Sequence, residues 1–430
     1  MRDIAVTALI FVPLLFVFKR PWIGVLLWLW VSLMNLPLFA FGFAQSLPFA
    51  QVIALVLIVS LVTSKDPVRL PINSTTILLI VFPLWMCVTY VFALENEIWG
   101  LYRWQEVMKI FFVLLISAAV IKTRQHVVWM IWVIAISIGF FGVKGGIFTI
   151  LGGGSSRVYG PPGGTFISDN NSIAVAIVMV IPLMYFLRTL VTSKWQKLAI
   201  LGAMGLNFMA ILGTQSRGAL FAVSAMVAFL WLKSRNKFVL GILMVALIPV
   251  AIGFMPSNWT DRMKTIETYQ QDSSAMGRIN AWRMAINVAN DRPLIGGGFE
   301  LYTRRVFAKY APDPLDVHAA HSIYFQILGE HGYVGLVLFF AIGFVGWRNA
   351  SRVIKLSGTN TEHAWAGELA RMIQVSLIGF AAGGLFVNIA YWENLYYEIL
   401  AIMVVHSLLV SSEAQSAVSR KREQPTPIRV

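Results

Sequence analysis

The chain has 430 residues, 58% hydrophobic and only 13% charged, with a mean hydropathy of +0.72, a balance that excludes a water-soluble globule of this length. A net charge of +14 would point to nucleic acid in a soluble protein, but here most Lys and Arg stand at the ends of apolar runs, so they report membrane topology and no nucleic-acid partner is expected. The single cysteine, Cys87, lies inside an apolar run and supports neither an internal disulfide nor a thiolate metal cluster.

Apolar runs of about 15 to 22 residues recur along the chain, each near the roughly 20 needed to cross about 30 Å of hydrocarbon as a helix. They fall at 4–18, 22–40, 47–63, 75–93, 105–121, 127–144 and 172–190, then at 198–212, 219–232, 238–255, 322–347, 372–391 and 395–409. The first is short, holds Pro13 and runs into Lys19 and Arg20 without a cleavage site, so it reads as a retained half-span against the second. Helices satisfy their own backbone groups in lipid, so the expected fold is all-α, a polytopic membrane helical bundle of about 12 transmembrane helices with a large helical loop outside. The expected divisions are N-terminal transmembrane helices over 1–255, a loop domain over 256–320, C-terminal transmembrane helices over 321–411 and a polar, disordered tail over 412–430.

Orientation follows from the short loops. Lys65 and Arg69, Lys122 and Arg124, Arg188 with Lys194 and Lys197, Lys233 with Arg235 and Lys237, and the basic residues from Arg348 to Arg371 all fall on one side. The positive-inside rule makes that side cytoplasmic and places the Arg420, Lys421, Arg422 tail there too. The other face, periplasmic or extracellular, receives residues 95–103, the glycine-rich segment 152–171, the turn at 215–218 and the long loop.

Within that loop, Ser273 or Ser274 is placed to cap a helix on which Ile279, Trp282, Ile286 and Ala289 share a face, and Pro293 with the Gly296, Gly297, Gly298 run ends it. A further helix is expected to start near Asp316 and enter the membrane from His321.

Five groups of residues are candidates for chemistry. Arg217 stands at the start of a span on the face where the topology rule makes arginine scarce; it is either a snorkelling anchor or an anion ligand beside free helix-start amides. Arg278, next to Gly277 near the first turn of the loop helix, where a bound anion would also meet exposed amides, is either part of a solvated face, a reading that applies equally to Arg262, Arg304 and Arg305, or a second anion ligand. His318 and His321, three residues apart, are expected on one helical face at the membrane rim. They suit a structural hydrogen-bonding role, a paired-imidazole metal site without its usual companions, or a base near neutral pH. The glycine-rich segment flanks Arg157 and leads to Asp169 and Asn170; it is either a spacer or a mobile lid, and it lacks a P-loop pattern. Glu106, Lys109 and Lys144 lie in or beside spans and are costly there unless paired or lining a cavity.

These residues resemble the O-antigen ligase and O-antigen polymerase superfamily of bacterial membrane glycosyltransferases. The resemblance rests on Ser216-Arg217-Gly218 at a span start, Gly277-Arg278 with Trp282, and His321-Ser322-Ile323-Tyr324-Phe325-Gln326 with Glu330 and Gly332. Asp169-Asn170-Asn171 and the stretch from Pro293 to Gly298 add to it, while Phe325 stands where leucine is commoner. The resemblance implies an O-antigen ligase-type enzyme in the inner membrane, its site facing the periplasm. Arg217 and Arg278 would bind the donor diphosphate and His321 would be the essential histidine; His318, which has no clear counterpart in the family, stands with Tyr324, Gln326, Asp169, Asn170 and Arg157 as supporting candidates. It implies no cofactor and no metal. The partners would be an undecaprenyl-diphosphate-linked glycan, a lipid A core oligosaccharide acceptor and membrane lipids. A polymerase, a protein O-oligosaccharyltransferase and, outside enzymes, a lipid-linked glycan transporter are the rival readings. A transporter would show paired broken helices and ionisable groups near mid-membrane.

Overall fold

A computed structural model describes residues 1–64, 68–95, 98–163, 165–233, 237, 273–358 and 360–423. The expected span at 238–255, Arg262, Lys65 and Arg235 lie outside these. Among the described residues every regular element is helical, as backbone in hydrocarbon requires. The first half of the chain forms α1 (Arg2–Val17), α2 (Pro21–Met34), α3 (Phe49–Thr63), α4 (Ser74–Val91), α5 (Ile98–Val120), α6 (Arg124–Leu151), α7 (Asn170–Leu190), α8 (Lys194–Gly213) and α9 (Arg217–Lys233). The second half forms α10 (Ser273–Asp291), α11 (Arg304–Tyr310), α12 (Ile323–Ser357), α13 (Ala364–Gly383) and α14 (Glu393–Glu423).

Among the described residues seven stretches, in α4, α6, α7, α8, α12, α13 and α14, are long and apolar enough to cross a membrane, with α2 and α3 as shorter apolar helices. This count falls short of the expected 12 or so. α1 and α9 are short, α5 carries Arg103, Glu106 and Lys109, and the run at 238–255 is not described. α1 is one helix of 16 residues through Pro13, about 24 Å long at 1.5 Å per residue. α14 is helical through Glu423, past Ser412, where the expected tail begins.

The interior is built from α7 and α14. Residues 172–180 of α7 are all buried, so this stretch turns no face to lipid, and the helix start is fixed by the Asp169 carboxylate, which accepts from the Asn171 and Ser172 amides at 2.8 and 3.1 Å. α6 meets α8 across Gly142 and Gly146, where any Cβ would run into Asn207 or the Leu206 carbonyl; small residues let the two backbones close up where lipid supplies no hydrophobic drive.

α12 is broken. Gly332 has φ 67° and ψ −170°, a conformation open essentially to glycine alone. The stretch after α10 docks into the break: the Gly297 amide donates to the Gly329 carbonyl at 2.7 Å, the Gly298 amide to the Glu330 carbonyl at 2.9 Å, and the Trp85 indole to the His331 carbonyl at 3.2 Å. The carbonyls freed by the kink are thereby satisfied, as a non-helical turn inside a bundle demands. A Cβ on Gly332 would sit 2.5 Å from the Leu294 oxygen. Gly332→Ala should therefore cost on the order of 1–3 kcal/mol for backbone strain alone, before the clash is counted. A lower unfolding temperature in detergent is the expected reading, and an unchanged one would contradict this account of the break.

Candidate active site at the rim of the bundle

Loop and helix ends gather at one end of the molecule, away from the end where Trp22 stacks on His126 at 4.7 Å and the Arg124 guanidinium lies 4.9 Å over Trp365. α10 lies across this rim. Ala281, Met284 and Val288 bury its inner face against Leu301, Phe307 and Tyr310, which gives the loop a small apolar core of its own. Its outer face holds the segment before α12. The Asn280 side chain donates to the Asp313 and Asp316 carbonyls at 2.8 and 2.9 Å and accepts from the Asp313 amide at 2.9 Å. The Trp282 indole donates to the Ala320 carbonyl at 2.6 Å, and its ring stacks on Phe325 at 4.9 Å.

Those clamps correct two expectations. His318 and His321 do not share a helical face, because residues 313–321 are non-helical and α12 starts only at Ile323. With Asn280 holding 313 and 316, and the Ser322 amide donating to the Asn388 side chain at 3.1 Å, the segment is stretched across the rim and cannot coil. Arg278 in turn lies beyond the first turn of a helix that starts at Ser273, so the exposed first-turn amides are not beside it. Arg217 is the first residue of α9, as expected.

His321 is half-buried and adopts φ 44°, a left-handed conformation uncommon outside glycine. Burial pushes its imidazole below the usual 6.5, the Arg278 and His318 charges push the same way, and Asp169 opposes them. The ring is therefore neutral near pH 7 and able to accept a proton. His318 leans on Asp316, with Nε2 2.8 Å from the carboxylate, and its ring packs against the bare backbone of Gly277, where a Cβ would overlap it.

The turn before Arg217 joins the same rim by two routes. The Asn170 amide donates to the Thr214 carbonyl at 2.9 Å, beside Asp169, and the Gln215 amide donates to the Gly154 carbonyl at 3.0 Å. On the far side, Gly218 meets Phe386, with room for no Cβ, and Gly384 in the same turn meets Ile323, two residues from His321. Two supporting candidates hold backbone carbonyls. The Tyr324 hydroxyl donates to the Ala381 carbonyl at 2.7 Å, tying α12 to α13, and Asn170 is a tether. Gln326 is buried, and its Oε1, like the Ser322 hydroxyl, is buried with no hydrogen-bond partner among the described residues. Arg157 is not brought to His321; it lines a separate cavity.

A buried network behind the rim went unread in the sequence. The His331 ring bonds Thr89 at 2.6 Å and the Tyr391 hydroxyl at 2.7 Å, Tyr391 donates to Glu330, and Glu330 accepts from the Glu300 amide at 3.2 Å. Arg103 closes the chain onto Glu300 and Glu106 at 2.8 and 2.6 Å. An acidic residue and a histidine adjacent in an apolar run were the available signal.

Residues 202–340, which hold Arg217, Arg278, His318, His321 and the break in α12, match the O-antigen ligase family. That segment belongs to the O-antigen ligase superfamily. Residues 1–192, ending beyond Asp169, match a family of unknown function, and no curated protein matches the chain. The O-antigen ligase segment makes the chain a multi-pass membrane enzyme of glycosyltransferase type, working on lipid-linked glycan in ligase- or polymerase-type transfer.

Asp169 gives the site a test of its own. Asp169→Asn keeps a capping oxygen for α7 but removes the charge that raises the His321 pKa. The activity of a neutral-imidazole base is present above its pKa and lost as pH falls through it, so the acid limb of the rate profile should move to lower pH. An unmoved limb would separate Asp169 from His321.

Proposed function

We propose that this chain moves a glycan from undecaprenyl diphosphate to a sugar hydroxyl of lipid A core, at the periplasmic face of a bacterial inner membrane. His321 takes the proton of the acceptor hydroxyl as its oxygen attacks the anomeric carbon; the bond from that carbon to the diphosphate oxygen breaks, and its electron pair leaves with the diphosphate. Attack from the opposite face inverts the anomeric centre. Arg217 and Arg278 bind the diphosphate and meet the negative charge that grows on it, which guanidinium groups in a partly dry site do better than solvated ones. The observation that carries the reading is the placement of a half-buried, neutral His321 within electrostatic reach of Arg278 and Asp169 inside the O-antigen ligase segment. The Ser322 hydroxyl, on the residue after His321, is buried without a hydrogen-bond partner among the described residues, which supports a polar ligand there.

The acceptor is tested by offering purified protein a polyprenyl-diphosphate glycan together with lipid A core, a second lipid-linked glycan or a protein. Product on lipid A core supports the ligase; product only on either other acceptor replaces it with a polymerase or a protein glycosyltransferase. Since the diphosphate bond carries the driving force and the base is an imidazole, transfer should survive EDTA. Loss on chelation with recovery on zinc would reinstate a histidine-bound metal.

The break in α12 and the carboxylates buried near it are features that a transporter would also show. Transporters of that design pair two broken helices, whereas among the described helices α12 alone carries non-helical backbone in its interior. Together with the superfamily of residues 202–340, this favours the enzyme.

A further inference from the structure

A cationic cavity of about 490 Å³ lies between α1, α6 and the segment 157–162. Arg2, Lys144 and Arg157 line it, and most of the remaining wall is apolar, with Phe39, Phe141 and Phe148 prominent. Among the described residues none of these cations has an ion-pair partner. The nearby Asp3 carboxylate is spent on the Gly42 and Ala44 amides at 2.9 and 3.1 Å. The Arg2 guanidinium lies 4.9 Å over the Phe41 ring.

Position decides what anion suits this cavity. Lys144 lies about two turns, roughly 10 Å, inside the end of α6, a depth at which an uncompensated ammonium is expensive. Around it Ile147, Phe148, Ile150 and Leu151 are exposed, so the wall is a surface for lipid chains rather than for water. A small soluble anion would gain nothing from phenyl rings at that depth. An amphiphile with a phosphate head and acyl chains would use both kinds of wall.

We propose that this cavity binds the phosphate head of an anionic membrane lipid, held by Arg2, Lys144 and Arg157, with its chains against the phenyl rings. The site is independent of the donor reading of His321. It touches the same loop, however: the Val158 amide donates to the Gly213 carbonyl at 3.0 Å and the Gly160 amide to the Ser168 carbonyl at 3.1 Å, so a lipid on Arg157 steadies the stretch that ends at Asp169.

The test titrates detergent-purified full-length protein with fluorescent phosphatidylglycerol and, separately, with fluorescent phosphatidylcholine. Phosphatidylglycerol should bind saturably and phosphatidylcholine should not. The Lys144→Gln, Arg157→Gln double variant should bind the anionic lipid roughly thirtyfold more weakly, from about 1 kcal/mol per basic group. The charge-keeping pair Lys144→Arg, Arg157→Lys should lose much less, a few-fold at most, from the changed donor geometry. Should the neutralised pair fail to fold, Arg2→Gln at the exposed edge carries the comparison, with severalfold weakening expected. Equal affinity for the two lipids, unchanged binding by the neutralised variants, or displacement of the lipid by millimolar inorganic phosphate would overturn the proposal, the last by making this a site for a free anion.

Discussion

Replacing His321 with alanine is expected to slow glycan transfer by about 10² to 10⁴, the usual contribution of a positioned general base, while membrane insertion and helix content stay intact. The fold should tolerate the change, because the backbone around His321 is held by its neighbours: Trp282 binds the Ala320 carbonyl and Asn388 binds the Ser322 amide. The loss should fall on kcat, since the base acts on the acceptor proton in the transition state and not on donor binding. His321→Gln, which keeps polarity and size but cannot accept the proton at neutral pH, should be as inactive as alanine. Near-normal transfer by either purified variant would remove His321 from the mechanism. His318→Ala is the informative contrast, for His318 is turned to Asp316 and should matter less.

Loss of either arginine is the second large effect. Arg217→Ala or Arg278→Ala should each raise the barrier by about 2.7 to 4 kcal/mol, the cost of one preorganised donor at a site of growing negative charge. The two should differ in one respect. Arg278 depresses the His321 pKa, so Arg278→Gln should also move the acid limb of the rate profile upward, opposite to Asp169→Asn. A variant that loses rate with no shift in that limb would show Arg278 to be too far from the imidazole to act on it; one that keeps its rate would remove it from donor binding. Lysine at either position should rescue only part of the rate, since an ammonium keeps the charge but not the two-pronged donor geometry suited to phosphate oxygens.

The all-helical membrane character was legible from composition and from apolar runs near the length of a bilayer, since no other backbone arrangement of such segments satisfies itself in lipid. Helix ends marked by local chemistry were legible too. Arg217 opens α9, and α10 begins at Ser273 and ends before Pro293. The His318 and His321 segment was misjudged because three-residue spacing means a shared face only inside a helix, and distant residues, Asn280 and Asn388, hold this stretch extended. The break at Gly332 was equally hidden: a glycine in an apolar run is compatible with straight helix, and only the docking of 293–298 supplies donors for the carbonyls a kink exposes.

The sequence by itself therefore determined the class of molecule, the residues able to carry chemistry and the superfamily they point to, because hydrophobic length, charge placement and side-chain type are local properties. Tertiary structure alone decided which of those residues meet. Asp169, Arg278 and His318 come within reach of His321 through hydrogen bonds between segments far apart in the chain, while Arg157, in the same loop as Asp169, is carried to another cavity. Such pairings depend on how helix ends are packed against one another, and no short-range pattern encodes that.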